Sequence, residues 1–153
     1  MIQFNFKTHI AIGFLAGIIT VPIFNPDNII LYIILVLFSS LLPDIDHPQA
    51  KIGQHFKFIG YLFEHRGFFH SVFFVALVGM ISYMIFGMTG MAYALVIGTL
   101  SHIAADTLNH KGIKLLHPVL PFQIKGIMKT GGVGEYIVFI ATIVASGYLV
   151  LGL

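Results

Sequence analysis

Histidine and aspartate recur in this chain at spacings suited to holding a metal ion. His102 and Asp106 stand four apart in Ser101-His102-Ile103-Ala104-Ala105-Asp106. On a helix that spacing puts both on one face, as a two-point metal grip requires. Asp44 and Asp46 share the stretch Leu42-Pro43-Asp44-Ile45-Asp46-His47-Pro48, and His65 and His70 flank a glycine in His65-Arg66-Gly67-Phe68-Phe69-His70-Ser71. His9 opens the first apolar run. The candidate metal ligands are therefore His9, Asp44, Asp46, His65, His70, His102 and Asp106, with His47, His110 and His117 as further nitrogen donors. The chain has no cysteine, so thiolate sites and disulfides are excluded, and any metal is held by imidazole and carboxylate. Such a donor set suits roughly one to three divalent ions, zinc first, with manganese, iron or magnesium as alternatives.

These residues punctuate a very apolar sequence. Hydrophobic residues make up 58% of it and charged residues 9%, and the mean hydropathy is +0.95. A soluble domain carries about 25% charged residues, so a water-facing surface cannot be built here. The composition predicts an all-α integral membrane protein, a single membrane-embedded domain over residues 1–153. Its net charge of +2 gives no sign of a nucleic-acid partner. Five apolar runs, over 9–24, 28–42, 68–86, 91–105 and 136–153, predict a small bundle of about five transmembrane helices. The third and fifth runs are long enough to cross a bilayer comfortably. The other three are short and need local thinning or packing within the bundle. Asn25-Pro26-Asp27-Asn28, Pro43 and the span 87–90 supply the breaks between runs. With no small-residue cleavage site after Phe24, the first run reads as a retained helix.

Threading five crossings through a membrane puts the N-terminus and the segments 43–67 and 107–134 on one side. All eight basic residues fall there: Lys7, Lys51, Lys57, Arg66, Lys111, Lys114, Lys125 and Lys129. The opposite side receives Asp27 and no Lys or Arg. By the positive-inside rule the basic side is cytoplasmic, with the C-terminus outside and the protein multi-pass in the cytoplasmic membrane. The same threading carries the candidate ligands on four helix ends to one depth. Interfacial anchoring would favour Lys, Arg, Trp and Tyr rather than His and Asp. A cytoplasmic-face metal site accounts for the residue types chosen.

The motifs resemble the YdjM-type family, described as LexA-regulated, membrane-bound predicted metal-dependent hydrolases. The matching stretches are Leu42-Pro43-Asp44-Ile45-Asp46-His47, His65-Arg66-Gly67-x-x-His70-Ser71 and Ser101-His102-x-x-x-Asp106-x-x-Asn109. Where the family commonly has Thr before the second histidine, this chain has Phe69, which removes a hydroxyl but no ligand. The order of ligands is also similar, more faintly, to that of zinc-dependent phospholipase C and P1-type nucleases. The resemblance implies a metal-dependent hydrolase. Asp106 or Asp44 could bridge two metals, and Arg66, always charged and fork-shaped, is the natural phosphate contact. Glu64 is a candidate general base or partner of a histidine. The segment 111–129 carries Leu115, Leu116, Val119, Leu120, Phe122 and Ile124 and reads as an interfacial stretch under the headgroups. The expected substrate is thus a membrane lipid, cleaved at a phosphoester of a phospholipid or lipid-linked phosphate. Two other classes stay open, a non-catalytic metal-binding membrane protein and a metal or proton transporter. A transporter wants ionisable groups near the bilayer midplane, and none lies in 10–24, 29–42 or 71–86.

Overall fold

A computed structural model gives the structure of the chain, described over residues 6–152. The first five residues and Leu153, the last residue of the fifth apolar run, lie outside the described residues. The elements are helical: α1 (Phe6–Phe24), α2 (Ile29–Ser39), α3 (Lys57–Leu62), α4 (Val72–Phe86), α5 (Tyr93–Thr107) and α6 (Val133–Gly152). Among the described residues there is no strand beyond two isolated bridges, Asn109 with Met128 and Ile113 with Ile124.

Local chemistry sets the helix limits. α1 ends where Asn25 turns to a left-handed φ of 42° ahead of Pro26. α2 begins at Asn28, whose side chain accepts a hydrogen bond from Leu31 N at 3.0 Å, an N-cap. Pro43 then tightens the end of α2 into a 3-10 turn over Leu42–Asp46. The third apolar run divides. Residues Phe68–His70 form a 3-10 turn, and α4 starts only after Ser71, whose Oγ caps it by accepting from Phe74 N. α3, in the segment between the second and third runs, has no hydrophobic periodicity long enough to announce it.

α5 is the centre of the bundle, packed on α1, α2 and α4, and α6 closes against α1. Close approach explains the small residues. A Cβ on Gly98 would run into Ser39 Oγ and the Val36 carbonyl, and one on Gly13 would come within 2.8 Å of Ser40 Cβ, so α5 and α1 both lie nearly backbone to backbone with the end of α2. Tyr32, Val36, Met91 and Ala94 form one apolar core, and Phe74, Val78 and Leu95 a second.

Three helical stretches are long and apolar enough to cross a membrane: Phe6–Phe24, Ile29–Asp46 (α2 with its 3-10 continuation) and Val133–Gly152. α4 is apolar but shorter. Large apolar side chains point outward along the bundle, among them Ile30, Met84 and Leu151. A surface of that kind suits lipid rather than water. At one end of the bundle the segment after α5 folds back on itself, held by reciprocal hydrogen bonds of 2.9 Å between Ile113 and Ile124. It docks through Val72 N to Leu115 O at 2.9 Å.

Candidate metal centre

The helix ends at this pole bring five buried ionisable side chains together. α1 contributes His9 from its first turn, the 3-10 turn after α2 contributes Asp44, and the turn before α4 contributes His70. α5 supplies His102 and Asp106 one turn apart. His9, His70 and His102 are each no more than 1% exposed.

His102 anchors the cluster. Its Nδ1 lies 2.7 Å from the Ser40 carbonyl oxygen, which can only accept, so the ring proton belongs on Nδ1 and Nε2 presents a lone pair. That Nε2 faces His70 Nε2 at 3.3 Å, Asp44 Oδ1 at 3.7 Å and Asp106 Oδ2 at 3.9 Å. His70 lies between two carboxylates, its Nδ1 buried without a hydrogen-bond partner. Asp46 Oδ2 lies 3.3 Å from its Nδ1, and its Nε2 sits 3.3 Å from Asp106 Oδ2. His9 stacks on His102 with ring centroids 3.9 Å apart and presents Nε2 to Asp106 Oδ1 at 3.7 Å.

The His102 Nε2 lone pair faces two carboxylate oxygens, an arrangement that repels unless a proton or a cation lies between them. Asp44 Oδ1 is buried and has no hydrogen-bond partner, an arrangement that is costly without a cation. Two donors bound to one tetrahedral metal at about 2.0–2.1 Å stand about 3.3 Å apart, which matches the His70–His102 and His70–Asp106 separations. Two donor triads meet the geometry of an ion site, His9–Asp44–His102 and His70–His102–Asp106. The residues present therefore fit a divalent metal.

The remaining expected ligands sit behind or beside this set. Asp46 is fully buried but faces away from the centre. It takes His65 Nδ1 at 2.8 Å, accepts from Arg66 N at 3.1 Å and flanks His70. It stands on the far side of His70 from the cluster. His65 lies at the rim on Asp46, with its side chain 29% exposed, and His47 packs edge-on against it. Burial, with the charge of His65, pushes the His47 imidazole below its ordinary pKa. His110 is exposed beside Met128 O, and His117 Nε2 lies 3.9 Å from Glu64 Oε2.

Arg66 turns inward. It donates from Nη2 to Asp106 Oδ1 at 3.3 Å and from Nη1 to Gly112 O at 3.1 Å, and its buried Nε has no partner. Its φ of 65° is a left-handed conformation that costs a non-glycine residue about 1–3 kcal/mol. The packed neighbourhood holds it there. Glu64 lies at the surface, paired with Lys114 Nζ at 2.5 Å. That hydrogen bond holds its carboxyl below the ordinary range. It does partner a histidine, but one outside the cluster.

The family model described as YdjM inner membrane protein matches residues 4–152. The chain belongs to that family. Relatives of the chain include the uncharacterized protein YvsG of Bacillus subtilis (strain 168), 35% identical over 115 residues, 72% of each chain. The inner membrane protein YdjM of Escherichia coli (strain K12) is 40% identical over 91 residues, 54% of this chain and 46% of that one. The same figures hold for YdjM of Shigella flexneri. The match therefore spans about half the length of these two YdjM proteins. No solved structure matches the chain.

Two residues that matter here, Ser40 and Glu135, carried little sequence signal, and Asn109 stood only as the last position of the Ser101–Asn109 motif. The Ser40 carbonyl is available because Pro43 ends α2 and leaves its last carbonyls unpaired. Asn109 is fully buried, donates to Thr130 Oγ1 at 2.6 Å and accepts from Lys111 N at 3.0 Å, fastening the segment after α5. Glu135, 3% exposed, accepts from Thr8 Oγ1 at 2.9 Å and from Gly131 N at 2.6 Å. It could have been found as an acidic residue at the edge of an apolar span.

Proposed function

We propose that this YdjM-family protein is a membrane-bound metal-dependent hydrolase acting on a phosphoester of a phospholipid or a lipid-linked phosphate. One observation carries the proposal: five buried imidazoles and carboxylates converge with their nitrogen and oxygen atoms 3.3–3.9 Å apart. His102 and His70, each held from behind, would ligate through Nε2, joined by Asp44, Asp106 and His9. Asp106 directs Oδ1 to His9 and Oδ2 to His70, as a carboxylate bridging two ions would. The chemistry such a cation supplies is Lewis acidity toward a phosphoryl oxygen and toward water; zinc suits the donors best.

The protein's own groups do the positioning. Asp46 fixes His70 and His65, and the Ser40 carbonyl fixes His102. Arg66 balances the charge of Asp106 and would supply positive charge toward a phosphoryl oxygen. Glu64, already tied to Lys114, is a poor general base, because a carboxyl held below its ordinary pKa is a weak proton acceptor at neutral pH.

The apolar helices and the one-sided basic residues support five crossings, with the metal centre and the N-terminus on the cytoplasmic side. Leu116, Val119, Leu120 and Phe122 are exposed beside the site, which favours a substrate drawn from the bilayer interface. Elemental analysis of purified protein should find stoichiometric metal that His102→Ala and Asp106→Ala remove. Release of headgroup alcohol, phosphorylated headgroup or phosphate from phospholipid vesicles should cease with chelator and return with added metal. A metal-free native protein overturns the proposal. Stoichiometric metal with no hydrolysis of any lipid phosphoester leaves the non-catalytic metal-binding protein instead.

A further inference from the structure

We infer that α3 is an anchor in the headgroup layer of an anionic leaflet, its outer face against lipid and its inner face seated on the turn that carries Asp46. In water the large apolar residues of a helix turn toward the core; in α3 they turn away from it. The inner face is Gly60, where a Cβ would come within 2.5 Å of Pro48 Cγ and 3.0 Å of the Asp46 carbonyl oxygen. The outer face is Phe58, Tyr61 and Leu62, which share one stripe at i, i+3 and i+4 and are 74%, 79% and 61% exposed. No residue of α3 is buried.

Isolated helices shorter than about 12–15 residues are marginal in water, and α3 has six. Two observations say what covers its outer stripe. The first is continuity. Phe63, the residue after α3, packs its ring on Phe69 at 5.1 Å and on Phe68 at 6.2 Å. That aromatic pair leads into α4, whose first residues Val72 and Phe73 are exposed in turn, so the stripe extends the lipid-facing surface of the bundle. The second is charge. Residues 47–63 hold Lys51 and Lys57 and no carboxylate. Lys57, between Phe56 and Phe58, is exposed and makes no ion pair among the described residues. Residues 107–134 repeat the composition, with Lys111, Lys114, Lys125 and Lys129 and no carboxylate. Lysine among exposed aromatic rings suits an anionic lipid surface. A second apolar protein face would leave the Lys57 ammonium without a counter-charge.

Lipid on one side and the Asp46 turn on the other would clasp α3 between them. The backbone of Asp46 seats Gly60 while its side chain stands behind His70, so the anchor touches the metal centre through that one residue. The inference rests on the membrane embedding and not on the hydrolytic reaction, so lipid contact at α3 and metal content report on the two separately.

The chain has no tryptophan, so Phe58→Trp puts a single indole on the stripe. The full chain carrying it is reconstituted into phosphatidylcholine vesicles with and without phosphatidylglycerol, at low ionic strength. Its emission is read with and without phosphatidylcholine brominated near the headgroup end of the acyl chain. Brominated lipid should quench the indole. Phosphatidylglycerol should raise the ratio of quenched to unquenched indole about fivefold, the scale of one lysine at an anionic surface, and Lys57→Gln in the same protein should remove that rise. Emission that brominated lipid leaves unquenched in both vesicles overturns the proposal: a red-shifted band means that the stripe faces water, a blue-shifted one that another protein chain covers it. Equal quenching with and without phosphatidylglycerol, or a rise that survives Lys57→Gln, overturns the anionic preference. Should Phe58→Trp fail to fold, as judged by its melt in detergent, Tyr61→Trp on the same stripe carries the same test with the same outcomes.

Discussion

Replacing Asp46 by Asn separates a ligand from a residue that aims a ligand. Asp46 is fully buried and serves His65 Nδ1 at 2.8 Å, Arg66 N at 3.1 Å and His70 Nδ1 at 3.3 Å. Asparagine keeps the volume and one accepting oxygen, so the turn should still form, but it loses the negative charge 3.3 Å from His70 Nδ1 that would favour a proton there. His70 could then present the wrong nitrogen to the centre. Losses for carboxylates that support a metal-bound histidine run about 10- to 100-fold in affinity, which is about 1.4–2.7 kcal/mol. Equilibrium dialysis of detergent-purified protein against buffered zinc, read by elemental analysis, gives the dissociation constants. His70→Ala, which deletes a donor, should cost far more than Asp46→Asn. His65→Ala, at the rim, should cost less. If Asp46→Asn binds zinc within about twofold of the native protein while His70→Ala does not bind it, Asp46 does not orient His70. If Asp46→Asn abolishes binding as fully as His70→Ala, Asp46 is itself a ligand.

Further outcomes follow from the same geometry. Gly98→Ala places a Cβ against Ser39 Oγ and the Val36 carbonyl and should destabilise the bundle by about 1–3 kcal/mol. Gly147→Ala, with nothing within 4 Å, should not, and thermal melts in detergent compare the two. The chain has no cysteine, so Lys57→Cys and Met88→Cys give clean single labels; five crossings require an impermeant maleimide to reach them from opposite sides, and labelling from the same side refutes that topology. Glu64→Gln should leave the metal content unchanged. Because Lys114 lowers the Glu64 pKa, the pair stabilises at neutral pH and the benefit is lost as pH falls through the folded value. Melts of Glu64→Gln and native protein should differ by no more than about 1 kcal/mol at pH 7 and converge in acid.

The parts of the centre that obey a simple period could be read from the chain. His102 and Asp106 share a helix face because four residues make about one turn, and His9 and His70 join them because four helix ends fall at one depth once the apolar runs are threaded. Asp44 and Asp46 are different. As letters two apart they look equivalent, yet Pro43 winds them into a 3-10 turn, where about three residues complete a turn and residues two apart point to different sides. One therefore faces His102 and the other backs His70. The inward turn of Arg66 depends on a left-handed backbone that no local preference of arginine announces; the segment after α5, whose Gly112 carbonyl receives the guanidinium, must already be folded back to make it worthwhile. Glu64 and Glu135 show the same limit from the other direction. Glu64 stands next to His65 in sequence, but a half-buried lysine claims it. Glu135 stands far along the chain and meets Thr8 only because α6 packs on α1. Helical period and hydropathy place residues on elements; which side chains turn toward one another across elements is decided by packing, and that is where the ligands part from the residues that aim them.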